Sequence, residues 1–168
     1  MTCSDGMVYT RENLTREHAV ALAMAQRAHK KKRVKAIHAT IANCRKDWAH
    51  KTTTAIVNQA KLVVVGNVSS TKLSQTRMAK SVYDAGWGQL RSMLAYKAMR
   101  LGVRYSEVNE SGSSVTCSVC LHKTGPSGLS GLGVRVFVCM HCGSLHDRDL
   151  NAARNILRSG RATPSGIP

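Results

Sequence analysis

The amino-acid sequence predicts an α/β fold with long basic helices and an inserted cysteine-rich segment, and three observations carry that prediction. Lys61-Leu62-Val63-Val64-Val65-Gly66 is a short, unbroken β-branched run, the pattern of a parallel strand covered on both faces. Apolar residues recur at helical spacing at Val34, Ile37, Ile41, Cys44 and Trp48, and again at Trp87, Leu90, Leu94 and Leu101. Residues 111–144 differ in kind, being rich in Gly, Ser and Cys. In 168 residues, 25 Lys plus Arg oppose 9 Asp plus Glu, a formal charge of +16, while 43% of residues are hydrophobic. That length suits one domain with a small appendage, the apolar fraction argues against general disorder, and the charge points to a polyanion as partner.

Taken in order, residues 2–10, with Ser4-Asp5-Gly6 as a turn between short β-type runs, read as the remnant of a hairpin whose sheet is expected to begin earlier. From Asn13 or Thr15 as N-cap, Glu17-His18-Ala19-Val20-Ala21-Leu22-Ala23-Met24 is rich in helix formers and runs into Arg27, Lys30, Lys31, Lys32, Arg33 and Lys35. The stripe through Val34 and Trp48 predicts a second helix, with Lys35, Arg45, Lys46 and Lys51 elsewhere on its surface. Residues 67–75 read as loop. A further amphipathic helix follows Asp84 and stops near Gly102. Residues 103–108 alternate like a strand, as do Val134, Val136 and Val138. A last helix covers 150–157, and 158–168 form an expected mobile tail. No window approaches the roughly 18 apolar residues of a membrane span. The opening MTCSDGMVYT has neither a basic region nor an apolar run, so a cytoplasmic location without membrane partners is expected, at the nucleoid in a prokaryote.

Cys117-x2-Cys120 and Cys139-x2-Cys142 are separated by 18 residues, the spacing of a four-thiolate zinc site in which each pair supplies two ligands from a tight turn. His122, His141 and His146 lie nearby and could replace a cysteine, although four Cys already fill a tetrahedral shell. Such a shell leaves no open position, so the zinc is expected to be structural. Cys3 and Cys44 sit alone, and Cys44 on its apolar stripe reads as core.

Thr116-Cys117-Ser118-Val119-Cys120, then Cys139-Met140-His141-Cys142-Gly143, then Asp147-Arg148-Asp149-Leu150-Asn151-Ala152-Ala153-Arg154-Asn155-Ile156-Leu157 resembles the OrfB/TnpB proteins of insertion sequences, compact relatives of type V CRISPR effectors. Asp84-Ala85-Gly86-Trp87-Gly88 with Leu90, Leu94, Tyr96 and Lys97, and the stretch from Ile41-Ala42-Asn43 to His50-Lys51, add weaker matches. The resemblance implies a RuvC-like nuclease of RNase H fold interrupted by a zinc-ribbon insert, with a guide RNA directing DNA cleavage. On that basis residues 1–110 are an incomplete RuvC-like domain with a basic helical segment, 111–146 a nucleic-acid-binding zinc ribbon, 147–158 the final RuvC-motif helix and 159–168 a disordered tail. It further implies three carboxylates holding two Mg²⁺ or Mn²⁺ ions around the scissile phosphate. Asp149, just before Leu150-Asn151-Ala152-Ala153, matches the third of these, whereas Asp147 reads as a helix N-cap.

The departures are informative. Where the family usually places a Glu at the end of the buried strand, this sequence has Gly66-Asn67, and no carboxylate occurs between Asp47 and Asp84. The first motif's Asp is expected on a strand before the hairpin, and Asp5 reads as a turn former rather than a substitute. With two of three carboxylates unaccounted for, the expectation is a truncated transposase-like nuclease that does not cleave alone. Between Arg27 and Lys51 there are nine Lys or Arg and one acidic residue, a surface suited to phosphate contacts with little sequence preference. The resemblance adds Lys123 and Arg135 of the ribbon. Trp48, Trp87 and Tyr96 could stack on bases, but both tryptophans read better as core. Three readings follow: a non-cutting DNA- and RNA-binding zinc protein, a nuclease half completed by a second chain, or an RNA-guided repressor.

Overall fold

The computed structural model describes residues 1–10, 14–67, 86–128 and 130–162. The candidate N-cap Asn13, most of the loop read over 67–75, Asp84-Ala85 and the last residues of the tail lie outside them. The chain forms two compact units, one from Thr10–Lys61 and Ser69–Val103, the other from Met1–Tyr9, Leu62–Val68 and Arg104–Pro168. The two parallel strands pair with each other, while the helices before and between them pack around apolar clusters of their own. Among the described residues no helix is long and apolar enough to cross a membrane.

The helical unit contains α1 (Leu14–Glu17), α2 (Ala19–Arg27), α3 (Lys31–Gln59) and α4 (Trp87–Arg100). Helix α2 ends in a Schellman motif: His29 takes φ +50°, its amide donates to the Gln26 carbonyl at 3.0 Å, and the Lys30 amide reaches the Ala25 carbonyl at 3.0 Å. Ala25 then packs with Ile37 and Ile41, flanked by Leu14, Leu22 and Val34. Farther along α3, Ala49 packs with Leu90 and Met93 of α4, with Trp48 and Trp87 against them. Both tryptophans therefore serve the core, and Trp48 Nε1 donates to the Thr10 carbonyl at 2.8 Å. Since α3 meets α2 with its first half and α4 with its second, its buried side winds around the helix, through Ile41 to Ala49, Thr53 and Val57. The straight stripe read from the sequence misses this rotation: Cys44, expected in the core, is exposed. Lys97 ties the pair by donating to the His50 carbonyl at 2.7 Å and the hydroxyls of Thr53 and Thr54 at 2.8 and 2.7 Å. Desolvation lowers its ammonium pKa. Helix α4 ends where expected, with Gly102 at φ +66° and the Val103 amide bonded to the Ala98 carbonyl at 2.9 Å.

In the other unit, Thr2 and Val8 bridge antiparallel around the Ser4-Asp5-Gly6 turn, where Asp5 Oδ1 accepts from the Met7 amide at 2.8 Å, the role of a turn former. Strand β1 (Leu62–Gly66) pairs parallel with β2 (Arg104–Val108), Leu62 opposite Arg104 and Gly66 opposite Val108. Of β1 only Val63 is fully buried, so the strand is less enclosed than its composition suggests. Strand β3 (Val136–Val138) pairs antiparallel with β4 (Leu145–Asp147), burying Phe137 and His146 while Val136 and Val138 face outward. Helix α5 (Arg148–Ala162) follows directly. It continues past the boundary expected at residue 158, and its Gly160 lies against the methyls of Val64, leaving no room for a Cβ.

Candidate functional site

The two cysteine pairs are built on the same local plan. The Leu121 amide donates to the Cys117 carbonyl at 3.0 Å and the Cys117 amide to the His122 carbonyl at 2.9 Å; Gly143 to Cys139 and Cys139 to Ser144 repeat both bonds at 2.8 Å. Each turn places the residue after its second cysteine in left-handed backbone, Leu121 at φ +69° and Gly143 at +73°. The turns bring the four thiols together, all sulfurs within 4.8 Å of one another. Cys117 and Cys142 stand 3.8 Å apart and Cys120 and Cys139 3.5 Å apart. A tetrahedral shell of Zn–S bonds of about 2.3 Å needs sulfurs about 3.8 Å apart. The donor set fits zinc in number, softness and spacing.

Electrostatics point the same way. The Thr124 hydroxyl donates to Cys139 Sγ at 3.1 Å and, with nearby amides and against burial, holds that thiol down to about 5. At Cys120 the backbone bond from His122 favours the thiolate, but burial and the neighbouring sulfurs of Cys139, Cys142 and Cys117 outweigh it and push the thiol up to about 12. Four thiolates this close repel one another until a cation sits between them. Of the three histidines that could have replaced a cysteine, His146 is buried with Nε2 at 3.1 Å from Cys117 Sγ, orienting a sulfur. His122 and His141 stack with ring centroids 3.5 Å apart and form, with Cys120, a second grouping of candidate donors.

Helix α5 holds the first cysteine turn. Asn151 is 1% exposed, accepts from the Ser118 amide at 2.8 Å and donates to the Thr116 carbonyl at 2.8 Å. Asn155 donates to Ser113 and Thr116 carbonyls at 2.8 and 2.6 Å, and Arg158 to the Ser118 carbonyl at 2.6 Å. Sequence reasoning missed these roles; the signal was an asparagine pair at i, i+4 on a helix that otherwise offers little to bury. Asp147 Oδ1 accepts from the Leu150 amide at 2.8 Å, the expected N-cap. Asp149 lies exposed in the first turn and pairs with Arg135 at 3.1 Å. It belongs to neither grouping of three or more metal-type donors among the described residues.

Of the candidate nucleic-acid-binding residues, Arg27, Lys30, Lys31, Lys32, Arg33, Lys35, Lys46, Lys51 and Lys123 are exposed. Lys51 is joined to Asp47 at 2.7 Å. Arg45 is half-buried and donates to Thr15 Oγ1, which ties α3 to α1.

Residues 87–156 match the family model "Cas12f1-like, TNB domain". A candidate RNA-guided DNA endonuclease of Streptomyces pristinaespiralis is 35% identical over 96% of this chain and 43% of its own length. The candidate RNA-guided DNA endonuclease InsQ of Escherichia coli K12 is 29% identical over 96% of this chain and 46% of its own. The chain thus spans about half the length of the relatives it matches. Its fold is similar to that of Cas12f1 in a cryo-EM structure of the complex with sgRNA and target DNA, with TM-score 0.64, 20% identity, and coverage of 89% of this chain and 44% of that one. These matches and the four-cysteine cluster define a class, the transposon-associated relatives of Cas12f1. Within it, the chain belongs to the OrfB/TnpB family.

Proposed function

We propose that this chain is a DNA- and RNA-binding unit of TnpB type that holds one structural zinc ion and does not cleave DNA by itself. The observation that carries the reading is the basic surface at the turn from α2 to α3. Arg27, Lys30, Lys31, Lys32, Arg33 and Lys35 are all exposed, and none pairs with a carboxylate among the described residues. Such a surface neutralises phosphates and releases counterions, giving affinity without base readout. Specificity then has to come from a guide RNA, which accords with the names of the relatives and with the sgRNA and DNA of the Cas12f1 complex. Lys46, Lys51, Lys123 and Arg135 extend the contact.

In this reading residues 111–146 are the zinc ribbon, Cys117, Cys120, Cys139 and Cys142 hold the ion, and the remaining strands and α5 belong to an RNase H-like (RuvC) sheet. Bound zinc supplies a cross-link between the two cysteine turns. Asp149 is the carboxylate of the third nuclease motif, and one carboxylate by itself does not hold the two Mg²⁺ or Mn²⁺ ions of such a centre; a second polypeptide that supplied further carboxylates would complete it.

The test incubates the zinc-loaded chain with labelled single- and double-stranded DNA and with RNA, in Mg²⁺ and in Mn²⁺. Binding with the strands left intact is the expected result, and Asp149→Ala should leave affinity unchanged or slightly raised by the loss of a negative charge. Metal-dependent cutting that disappears in Asp149→Ala would overturn the non-cutting reading.

A further inference from the structure

Each of the two cysteine turns carries a histidine at the surface where they meet. His122 stands two residues after Cys120, and His141 lies inside the second pair, between Cys139 and Cys142. Both rings are exposed, and they stack with centroids 3.5 Å apart and planes 12° from parallel. A nitrogen of each ring and Cys120 Sγ all lie within 4.8 Å of one another. Cys120 is only half-buried, whereas Cys117 and Cys139 are fully buried. The histidines therefore border a sulfur at the solvent side of the thiol cluster.

Tautomer, spacing and charge all fit this cluster to a cation. His122 Nδ1 lies 3.1 Å from the Cys120 carbonyl, and a carbonyl only accepts, so in the neutral ring Nδ1 carries the proton and Nε2 keeps its lone pair. Backbone fixing one nitrogen while the other stays open is the usual setting of a metal-binding histidine. Two Zn–N bonds of about 2.0–2.1 Å at a tetrahedral angle set their nitrogens about 3.4 Å apart, close to the separation across the stack. Lone pairs of parallel rings run side by side, so the rings must splay at one edge to converge on an ion, and exposed side chains have room for that. Four thiolates around one Zn²⁺ leave a net negative charge of about two, which attracts a second cation to the outer sulfur.

We propose that His122 and His141 form a second, exchangeable Zn²⁺ site beside the four-thiol centre, with Cys120 Sγ bridging the two ions. The proposal rests on the reading of the four thiols as a zinc shell, which supplies both the bridging sulfur and the negative charge. Imidazole and thiolate donors suit zinc and not Mg²⁺ or Ca²⁺. Two histidines and a shared sulfur hold an ion less tightly than four thiolates, so the second ion comes from added Zn²⁺ and is not retained through purification. When bound, it joins the two turns a second time, at their exposed side.

The experiment titrates the chain carrying one zinc with further Zn²⁺, without nucleic acid, by calorimetry and by NMR of the histidine ring protons. The unaltered chain should take up a second equivalent. Two ring signals, identified by their loss in His122→Ala and His141→Ala, should shift as the stack opens. Either variant should weaken the second binding at least about tenfold, the floor for losing even an outer partner of a metal site, and should keep the first zinc. Both side chains are exposed, so alanine leaves no cavity, and the ring shifts test the site in the unaltered chain. Uptake that ends at one equivalent, a second equivalent bound equally by both variants, ring signals that ignore Zn²⁺, or loss of the first zinc together with the second would each overturn the proposal. The first zinc separates the two claims. A chain that takes up no zinc refutes the four-thiol centre and the bridge with it, whereas a chain that holds one and refuses a second refutes the histidine site alone.

Discussion

Leu121 and Glu110 each sit in an unfavourable setting. Leu121 holds left-handed backbone at φ +69°, where its counterpart in the second cysteine turn is Gly143. A left-handed L-residue costs roughly 1–2 kcal/mol, and glycine gives back about 0.5–1 kcal/mol in chain entropy. Leu121→Gly should therefore stabilise the zinc-loaded protein by up to about 1 kcal/mol, read as a higher denaturation midpoint, since Leu121 is 55% exposed and leaves no cavity. At Glu110 the sign follows from burial. Its native pKa is raised, so the native state binds the proton more tightly than the unfolded chain, and the carboxylate penalises folding at neutral pH. Glu110→Gln should raise the midpoint at neutral pH, and that gain should shrink as pH falls through the raised carboxylate pKa. A gain independent of pH would show that the charge is not the cause.

Helix α5 acts as an element by fastening the first cysteine turn, and Asn151 is its central contact. In Asn151→Ala the Thr116 carbonyl keeps Asn155 as a donor, but the Ser118 amide loses its acceptor at a buried site. The expected loss is about 2–3 kcal/mol in denaturant unfolding, and a loss below about 0.5 kcal/mol would assign the fastening to Asn155 and Arg158. Much at this scale was legible in the sequence. Cys-x-x-Cys spacing, the N-cap Asp147 and the stop at Gly102 are all local signals, set by a few neighbouring residues: the four thiols converge, Asp147 caps α5 and α4 stops before Gly102. Non-local features were not legible. Cys44 follows a straight stripe on paper but leaves the core because α3 changes partner along its length. The asparagines of α5 carried no periodic apolar signal because their function is to satisfy backbone groups.

At the scale of the whole molecule, metal and charge decide behaviour. The segment between the cysteine pairs has little core beyond Phe137, so in the proposed reading a zinc ion held by the four thiols would supply much of its folding free energy. Purified without chelator, the chain should contain about one zinc per molecule, and chelation should unfold residues 117–142 before α2, α3 and α4, as followed by amide hydrogen exchange. Uniform loss of protection would mean that the two units do not fold separately. The excess of 25 basic over 9 acidic side chains makes affinity for any polyanion salt-dependent. The most direct test of the account is therefore the slope of log K against log salt for the zinc-loaded chain on duplex DNA and on RNA, beside a variant with Lys30, Lys31, Lys32 and Arg33 replaced by Ala. The account predicts a slope shallower by about three or four in the variant, roughly one for each lost phosphate contact, with little change in sequence preference; an unaltered slope would mean that the α2–α3 cluster faces solvent and that nucleic acid is held elsewhere or not at all.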